Sequence, residues 1–367
     1  MYKVLVFGTG NFSEYIKEVF SDEVYILAYV DNDKSKWYSI KNGRKIIPPK
    51  EIQNYYYDYI VIASQYNEEI YTQLLSMNID IEKIFQCSKF LDNYWDYNKA
   101  YIDLFSSKPD GFYEVLVTGI SYTALGLNPN IWNKRTLKFA FGSQDLFYDY
   151  HTIKYLIKNY KNKMCNIKHV IIGLCYYSFQ YDMSLSAMKG KTVMYYEVLK
   201  NAHHFHEIKR VYEEYEINKR IGNKFLRKNR NGSFDINWKS RELIDFKNKE
   251  RLGKKQAELD CNKNYPKTVE ENKIILKEYL KLLKDNNIKP IVVVFPASKY
   301  YTKYFSKRIE DEFHSIIKEI KEEHDFQYID HFRSDLFNDD DFKDVSHLNW
   351  HNGAKKFTKI LNEEIQW

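Results

Sequence analysis

The sequence predicts an α/β protein built on two parallel sheets, and three observations predict it. Short, unbroken apolar runs alternate with amphipathic stretches along the chain. The alternation stops at Ser106-Ser107-Lys108-Pro109-Asp110-Gly111, a cluster of turn formers, and restarts behind it. At 367 residues the chain is too long for one ordinary domain and comfortable for two. The division that follows is a first domain over 1–86, a helical linker over 87–111 with a helix from Phe90 to Phe105, and a second domain over 112–367. Apolar strands separated by helices imply sheets covered on both faces.

In the first domain Tyr2 to Phe7 reads as a buried strand. Gly8-Thr9-Gly10-Asn11-Phe12-Ser13 follows, then a helix with Phe12, Ile16, Val19 and Phe20 at helical spacing. A second strand, Val24 to Val30, ends at Asp31. Glycines let the backbone approach a phosphate, the helix N-terminus favours its charge, and Asp31 can accept from a ribose hydroxyl. Gly-x-Gly-x-x-Ser departs from the dinucleotide fingerprint at its third glycine, where Ser13 is still small. Beyond a turn at Asn42-Gly43 come Ile46-Ile47-Pro48-Pro49 and a further strand, Tyr59-Ile60-Val61-Ile62-Ala63-Ser64. Together these resemble the small N-terminal domain of bacterial sugar O-acyltransferases and related polysaccharide-biosynthesis proteins, over about a quarter of the chain. The resemblance implies a truncated Rossmann-like unit that in some members holds the nucleotide of an activated sugar. Gly8, Gly10, Asn11, Asp31 and Ser64 would then line the pocket. A unit that keeps the fold without the ligand is the alternative. The domain is short for a full dinucleotide site and no hydride-transfer residues stand out, which places an NAD-dependent oxidoreductase last.

The second domain offers strands at Tyr113–Thr118, Leu137–Phe141, Val170–Leu174, Ile291–Phe295 and Phe326–Ile329, with Pro296 marking a strand end. Between them lie helical stretches such as Thr268–Asp285, where Thr268 and Glu271 suggest a capping box and Leu276, Leu280 and Leu283 an apolar stripe. Ser121 stands just past the first strand. A serine hydroxyl needs a base within hydrogen-bond reach to act as a nucleophile. Asp344-Val345-Ser346-His347 supplies one near the other end of the chain, with the aspartate three residues away to hold the imidazole's tautomer. The surroundings of Ser121 are not the Gly-x-Ser-x-Gly elbow, since residue 123 is Thr. His331 is a rival base that lacks the Leu348-Asn349 sequel. A serine after a strand is more often a turn residue or cap, so the pairing with Asp344 and His347 carries the inference.

Four blocks, Gly119-Ile120-Ser121, Phe141-Gly142-Ser143-Gln144-Asp145, Ile172-Gly173-Leu174-Cys175-Tyr176-Tyr177 and Asp344-x-x-His347, resemble SGNH hydrolases. Within these the likeness is to the DltD-related lineage of cell-wall and polysaccharide acyl-transfer proteins, over about two thirds of the chain. The resemblance implies a flavodoxin-like three-layer α/β/α domain with a helical insertion. It also implies Ser121, Asp344 and His347 as catalytic residues, and the amides of Ser121 and Gly142 as the oxyanion hole. Where many SGNH hydrolases place an Asn donor this chain has Cys175 and Tyr176, which weighs against plain esterase activity.

The net charge of +6 is modest for this length, and acidic residues are interleaved with basic ones, which argues against nucleic acid as a partner. The 33 Tyr and 23 Phe are read as compositional bias, not as a binding platform. Four cysteines without metal-ligand spacing favour a reducing compartment. With no leader-like N-terminus and no spanning segment, the expected location is the cytoplasm. No metal site is expected: His203, His204 and His206 read as different faces of a helix with no carboxylate nearby. The stretch from Ile208 to Lys255, with Arg227, Lys228 and Arg230, reads as a solvated insertion or, less often, a lid. The chemistry needs no cofactor; a nucleotide sugar, an acyl donor and a small-molecule or glycan acceptor are the ligands implied, and self-association is left open. Three functions follow in order: a serine acyltransferase acting on a sugar in bacterial surface-polysaccharide synthesis, a carbohydrate esterase, and a non-catalytic glycan- or nucleotide-binding protein.

Overall fold

The computed structural model describes residues 1–92, 97–228 and 248–367. Two α/β units, each on a mostly parallel sheet, divide the chain: 1–95 with 207–241, and 96–206 with 242–367. Among the described residues no helix is long and apolar enough to cross a membrane.

The first unit's strands are β1 (Tyr2–Phe7), β2 (Val24–Val30), β3 (Ile40–Lys41), β4 (Arg44–Ile47), β5 (Tyr59–Ile62) and β6 (Ile84–Phe85). Their order is β3-β4-β2-β1-β5-β6, parallel except for the β3–β4 hairpin. That hairpin turns on Asn42 and Gly43, both at positive φ (52° and 72°), as a two-residue turn requires. Leu5, Phe7, Val30, Ile60 and Ile62 form the core with Ile70 and Leu74 of the helix Asn67–Ser76. The region after β6 holds two helices, Cys87–Asp92 and Tyr97–Ser107.

A second piece of chain completes the first unit, whereas Tyr97–Ser107 belongs to the second unit. The helix Ile208–Phe225 buries Ile208, Val211, Tyr215, Ile221 and Phe225 along one face. Phe225 is fully buried, with its ring 5.0 Å from Tyr59, 5.4 Å from Tyr2 and 5.8 Å from Phe85. Asn218 Oδ1 accepts from the Gln86 amide at 2.7 Å, and the amide of Arg227 donates to Val19 O at 2.9 Å. The stretch read as a solvated insertion therefore begins with a core helix: most of its charges lie on the outer face, and the buried Glu214 is paired with Arg210 at 2.6 Å. Arg230 and the rest of 229–247 lie outside the described residues.

The second unit has β7 (Val115–Gly119), β8 (Thr136–Ala140), β9 (His169–Leu174), β10 (Lys289–Val294) and β11 (Gln327–Asp330). All are parallel in the order β11-β10-β9-β7-β8. Counted within the unit this is 2-1-3-4-5, the flavodoxin-like order. The β7–β8 crossover runs one way along the sheet and the later ones run the other way. Right-handed connections therefore place their helices on opposite faces. Ser121–Gly126 and Gly353–Glu364 pack together, as do Leu146–Asn159, Pro266–Asp285 and Lys307–Glu323. The sheet direction reverses between β7 and β9, and the crevice at their carboxyl ends is where such sheets place ligands. The helix expected from Thr268 starts at Pro266, whose missing N–H costs nothing in a first turn, and no side-chain cap bond is made. Glu271, read as half of a capping box, turns instead toward His203 and His204.

Candidate active site

Ser121 opens the short helix that follows β7. The strand can end this tightly because Gly119 sits at φ +140°, where a β-carbon would lie 2.4 Å from Thr123 Oγ1 and 2.5 Å from Gly173 O. His347 comes from a loop that folds back on itself. Phe342 bridges Leu348, Lys343 N donates to His347 O at 2.8 Å, and Asn349 N donates to Asp341 O at 2.9 Å. Asn349 Oδ1 accepts from Asn352 N and Gly353 N, joining the loop to the final helix. Gly353 is obligatory there, since a β-carbon would fall 2.0 Å from Asp341 O.

These elements place Ser121 Oγ 2.8 Å from His347 Nε2. Both Asp344 carboxylate oxygens lie 3.0 Å from His347 Nδ1, and Oδ1 also accepts from the amides of Ser346 and His347 at 2.9 Å. With Nδ1–H held by the carboxylate, Nε2 presents its lone pair to the serine hydroxyl. Partial burial pushes the Asp344 carboxyl up, but the His347 ring and the two amides outweigh it and hold it down at about 2. His331, the rival base, bonds Glu364 at 2.8 Å, and among the described residues no serine side chain bonds its ring.

Gly142 lies in the turn after β8, tied to the end of β7 by Phe141 N donating to Gly119 O at 3.2 Å. A β-carbon on Gly142 would meet only the Lys191 ammonium, 3.8 Å away, so the turn fronts open space. Ser121's N–H, in the first turn of its helix, has no intrahelical acceptor. Behind the turn Gln144 donates to Phe139 O at 2.8 Å and to Asp149, and accepts from Tyr195 OH at 2.5 Å. In the third block Tyr176 OH donates to Asp330 at 3.0 Å, and Cys175 is buried against Ser178. Burial pushes the Cys175 thiol up to about 12, so it stays a protonated thiol at neutral pH.

Tyr122 and Asp260 went unnoticed in the sequence. The Tyr122 ring lies 4.7 Å from the His347 ring, and its hydroxyl is 3.3 Å from Tyr301 OH. Tyr301 OH in turn donates to the buried Asp260 at 2.9 Å. Tyr122 had the signal of adjacency to Ser121. Asp260, on the helix Lys249–Cys261, bears no spacing relation to 344–347, and nothing in the sequence marks it.

In the first unit Gly8, Asp31 and Ser64 stand at the carboxyl ends of β1, β2 and β5, with Gly10 and Asn11 opening the helix Asn11–Val19. Gly8 is at φ +115° and a β-carbon would meet Ala63 O at 2.5 Å, so its glycine is demanded by the neighbouring strand end. A β-carbon on Gly10 would meet nothing within 4 Å. Asp31 accepts from Thr9 Oγ1, from Asp33 N at 2.9 Å and from Lys36 at 3.3 Å. Ser64 Oγ accepts from Tyr66 N at 3.2 Å.

Residues 1–85 match a family model described as C2185-like, N-terminal. No curated protein sequence matches the chain. Among solved structures it is similar to a candidate acylhydrolase from Bacteroides fragilis, at 12% identity and TM-score 0.37, over 73% of this chain and 95% of that one. It is also similar to a candidate platelet activating factor protein from Streptococcus pneumoniae, at 9% identity and TM-score 0.38, over 81% and 98%. UDP-D-quinovosamine 4-dehydrogenase from Vibrio fischeri matches 21% of the chain and 70% of its own length, at 22% identity and TM-score 0.18.

Proposed function

We propose that the protein is a serine-dependent acyl-group enzyme of SGNH type that transfers an acyl group to a sugar in bacterial surface-polysaccharide synthesis. The observation that carries this is the hydrogen-bonded line from Ser121 Oγ through both nitrogens of His347 to Asp344. Ser121 Oγ attacks the carbonyl carbon of an ester or thioester while His347 Nε2 takes its proton. The amides of Ser121 and Gly142 receive the charge that develops on the carbonyl oxygen. Collapse breaks the bond to the leaving alcohol or thiol, which His347 protonates, and leaves an acyl-serine. His347 then deprotonates the acceptor hydroxyl, which attacks the acyl carbon; the bond from that carbon to Ser121 Oγ breaks, and His347 returns the proton to Ser121 Oγ. Asp344 stays ionised throughout and stabilises the imidazolium.

Acceptor choice separates transfer from hydrolysis, since water needs no shaped pocket and a sugar does. Asp260 and Lys263, in the long connection between β9 and β10, lie beside Tyr301 and Tyr177, within the phenol cluster next to His347. A fluorophosphonate probe should label Ser121, and Ser121→Ala should abolish labelling together with turnover of a small activated ester. As glycan acceptor is raised, mass spectrometry should show acyl-sugar growing at the expense of free acid. Free acid alone across a broad glycan panel turns the assignment to esterase. An unlabelled Ser121 ends both.

A further inference from the structure

Asp182, His203, His204 and Glu271 meet within the second unit from three separate stretches of chain. The two histidines occupy turns and not the helix the sequence suggested, and the carboxylates come from 21 residues before and 68 residues after His203. The geometry points to a divalent transition-metal site of the zinc type. Asp182 and the Nδ1 atoms of His203 and His204 are its ligands, and Glu271 orients both rings from behind.

Asp182 Oδ2 lies 2.7 Å from His204 Nδ1 and 3.4 Å from His203 Nδ1. A tetrahedral ion with bonds of about 2.0–2.1 Å holds its ligand atoms about 3.3 Å apart, which the His203 spacing matches, while His204 Nδ1 would draw back from its present hydrogen-bond distance to admit the ion. Asp182 is already aimed: its Oδ1 accepts from Ser184 N at 2.7 Å and Leu185 N at 3.3 Å, which turns Oδ2 to the histidines. On the far side Glu271 Oε1 lies 3.1 Å from His203 Nε2 and 3.5 Å from His204 Nε2. A carboxylate taking the outer N–H of a ligating imidazole is the usual second layer of such sites.

The protons decide between a metal and a plain ion-pair cluster. Without an ion, a neutral pair of rings has His204 Nδ1–H donating to Asp182 at 2.7 Å and His203 Nε2–H donating to Glu271 at 3.1 Å, which leaves the His203 Nδ1 lone pair facing the Asp182 carboxylate; a cation between them relieves that contact. Two doubly protonated rings would instead stack positive imidazoliums at 4.0 Å. His203 bears this out independently. Its side chain is only 8% exposed, it is stacked on Phe147 at 4.0 Å, and its Nδ1 makes no hydrogen bond although it points at Asp182. Two nitrogens and an oxygen without a thiolate suit zinc and its neighbours, whereas calcium and magnesium prefer all-oxygen sites. The next residue, Met183, donates its amide to Asp145 Oδ2 at 2.7 Å, so an ion on Asp182 also steadies the turn that carries Gly142. That last consequence rests on the acyl-transfer reading, and the site itself does not.

The test uses the full chain, stripped with chelator, dialysed and titrated with zinc chloride by calorimetry while the thermal midpoint is followed. A single zinc per chain and a midpoint that climbs with zinc are expected. His204→Gln, at a partly exposed position that leaves the core alone, should remove binding, and Glu271→Gln should weaken it by about 10–100-fold. Cobalt loading should give the visible absorption of a four-coordinate ion, absent in His204→Gln. No binding at millimolar zinc, or binding that survives both His204→Gln and Asp182→Asn, overturns the site. These readouts are independent of acyl transfer, so a failed Ser121 assignment leaves them standing.

Discussion

Asp344 accepts from the His347 ring and from two amides of its own loop, so one carboxylate serves both the shape of the loop and the tautomer of the histidine. Asn at this position keeps a carbonyl for one amide but offers an N–H to a ring nitrogen that needs an acceptor. Asp344→Asn should therefore lower turnover on the order of 10³–10⁴-fold while Ser121 and the oxyanion donors stay in place. The pH signature has a definite sign. The folded carboxyl titrates at about 2, below the ordinary value near ~3.9, so its contribution to stability is present above the unfolded value and is lost as pH falls through about 2. The carboxylate is about half exposed, which keeps the effect small. Thermal midpoints measured from pH 5 to pH 2 should fall more steeply for the native chain than for Asp344→Asn, and parallel curves would refute the assignment. Ser121 and His347 were legible because the position after a strand and the Asp-x-x-His spacing are local facts. Their 2.8 Å meeting spans 226 positions and depends on how the sheet brings its carboxyl ends together.

At the scale of elements, the central strands β1, β5, β7, β9 and β10 stand out in the sequence because they are largely apolar runs whose residues are mostly buried, whereas the edge strands β3 and β11 are short and partly exposed. The helix Ile208–Phe225 is the instructive case. Its apolar residues recur at helical spacing, which says that one face is buried but not against what. The partners are Tyr2, Phe20, Tyr59 and Phe85, far away in sequence, and only the aromatic cluster around Phe225 reveals them. Phe225→Ala removes the centre of that cluster and should cost about 3–5 kcal/mol of the first unit's stability. Urea unfolding followed by a probe in that unit is the check, and a loss near zero would mean that the helix does not anchor there.

For the molecule as a whole, one continuous chain leaves the first unit for the second, returns to the first and then enters the second again. The glycine loop of the first unit, together with Asp31 and Ser64, supports the proposal that it holds the nucleotide of an activated sugar at the carboxyl ends of β1 and β5, where the strand order reverses. Calorimetry with a panel of nucleotides should show a nucleotide-diphosphate sugar binding more tightly than NAD. Tight NAD binding with no response to any nucleotide sugar would overturn the proposal, and no binding at all would leave the unit a role in assembly. Asp31 would have to exchange Thr9 or Lys36 for the ribose, so Thr9→Val should alter affinity without unfolding the unit.

Local chemistry set the strand runs, the Asn42-Gly43 hairpin, the glycine loop and the Asp344–His347 pair, because each depends on residues close together in sequence. The remaining features required distant residues to meet. Glu271 reads as a helix cap beside Thr268 yet faces two histidines, since Pro266 had already begun the helix. Asp182, Asp260 and Tyr122 acquire their roles from neighbours 22, 41 and 179 positions away, at His204, Tyr301 and Tyr301 respectively. Spacing along the chain determines which face a side chain takes, whereas close packing of the folded units determines what that face meets.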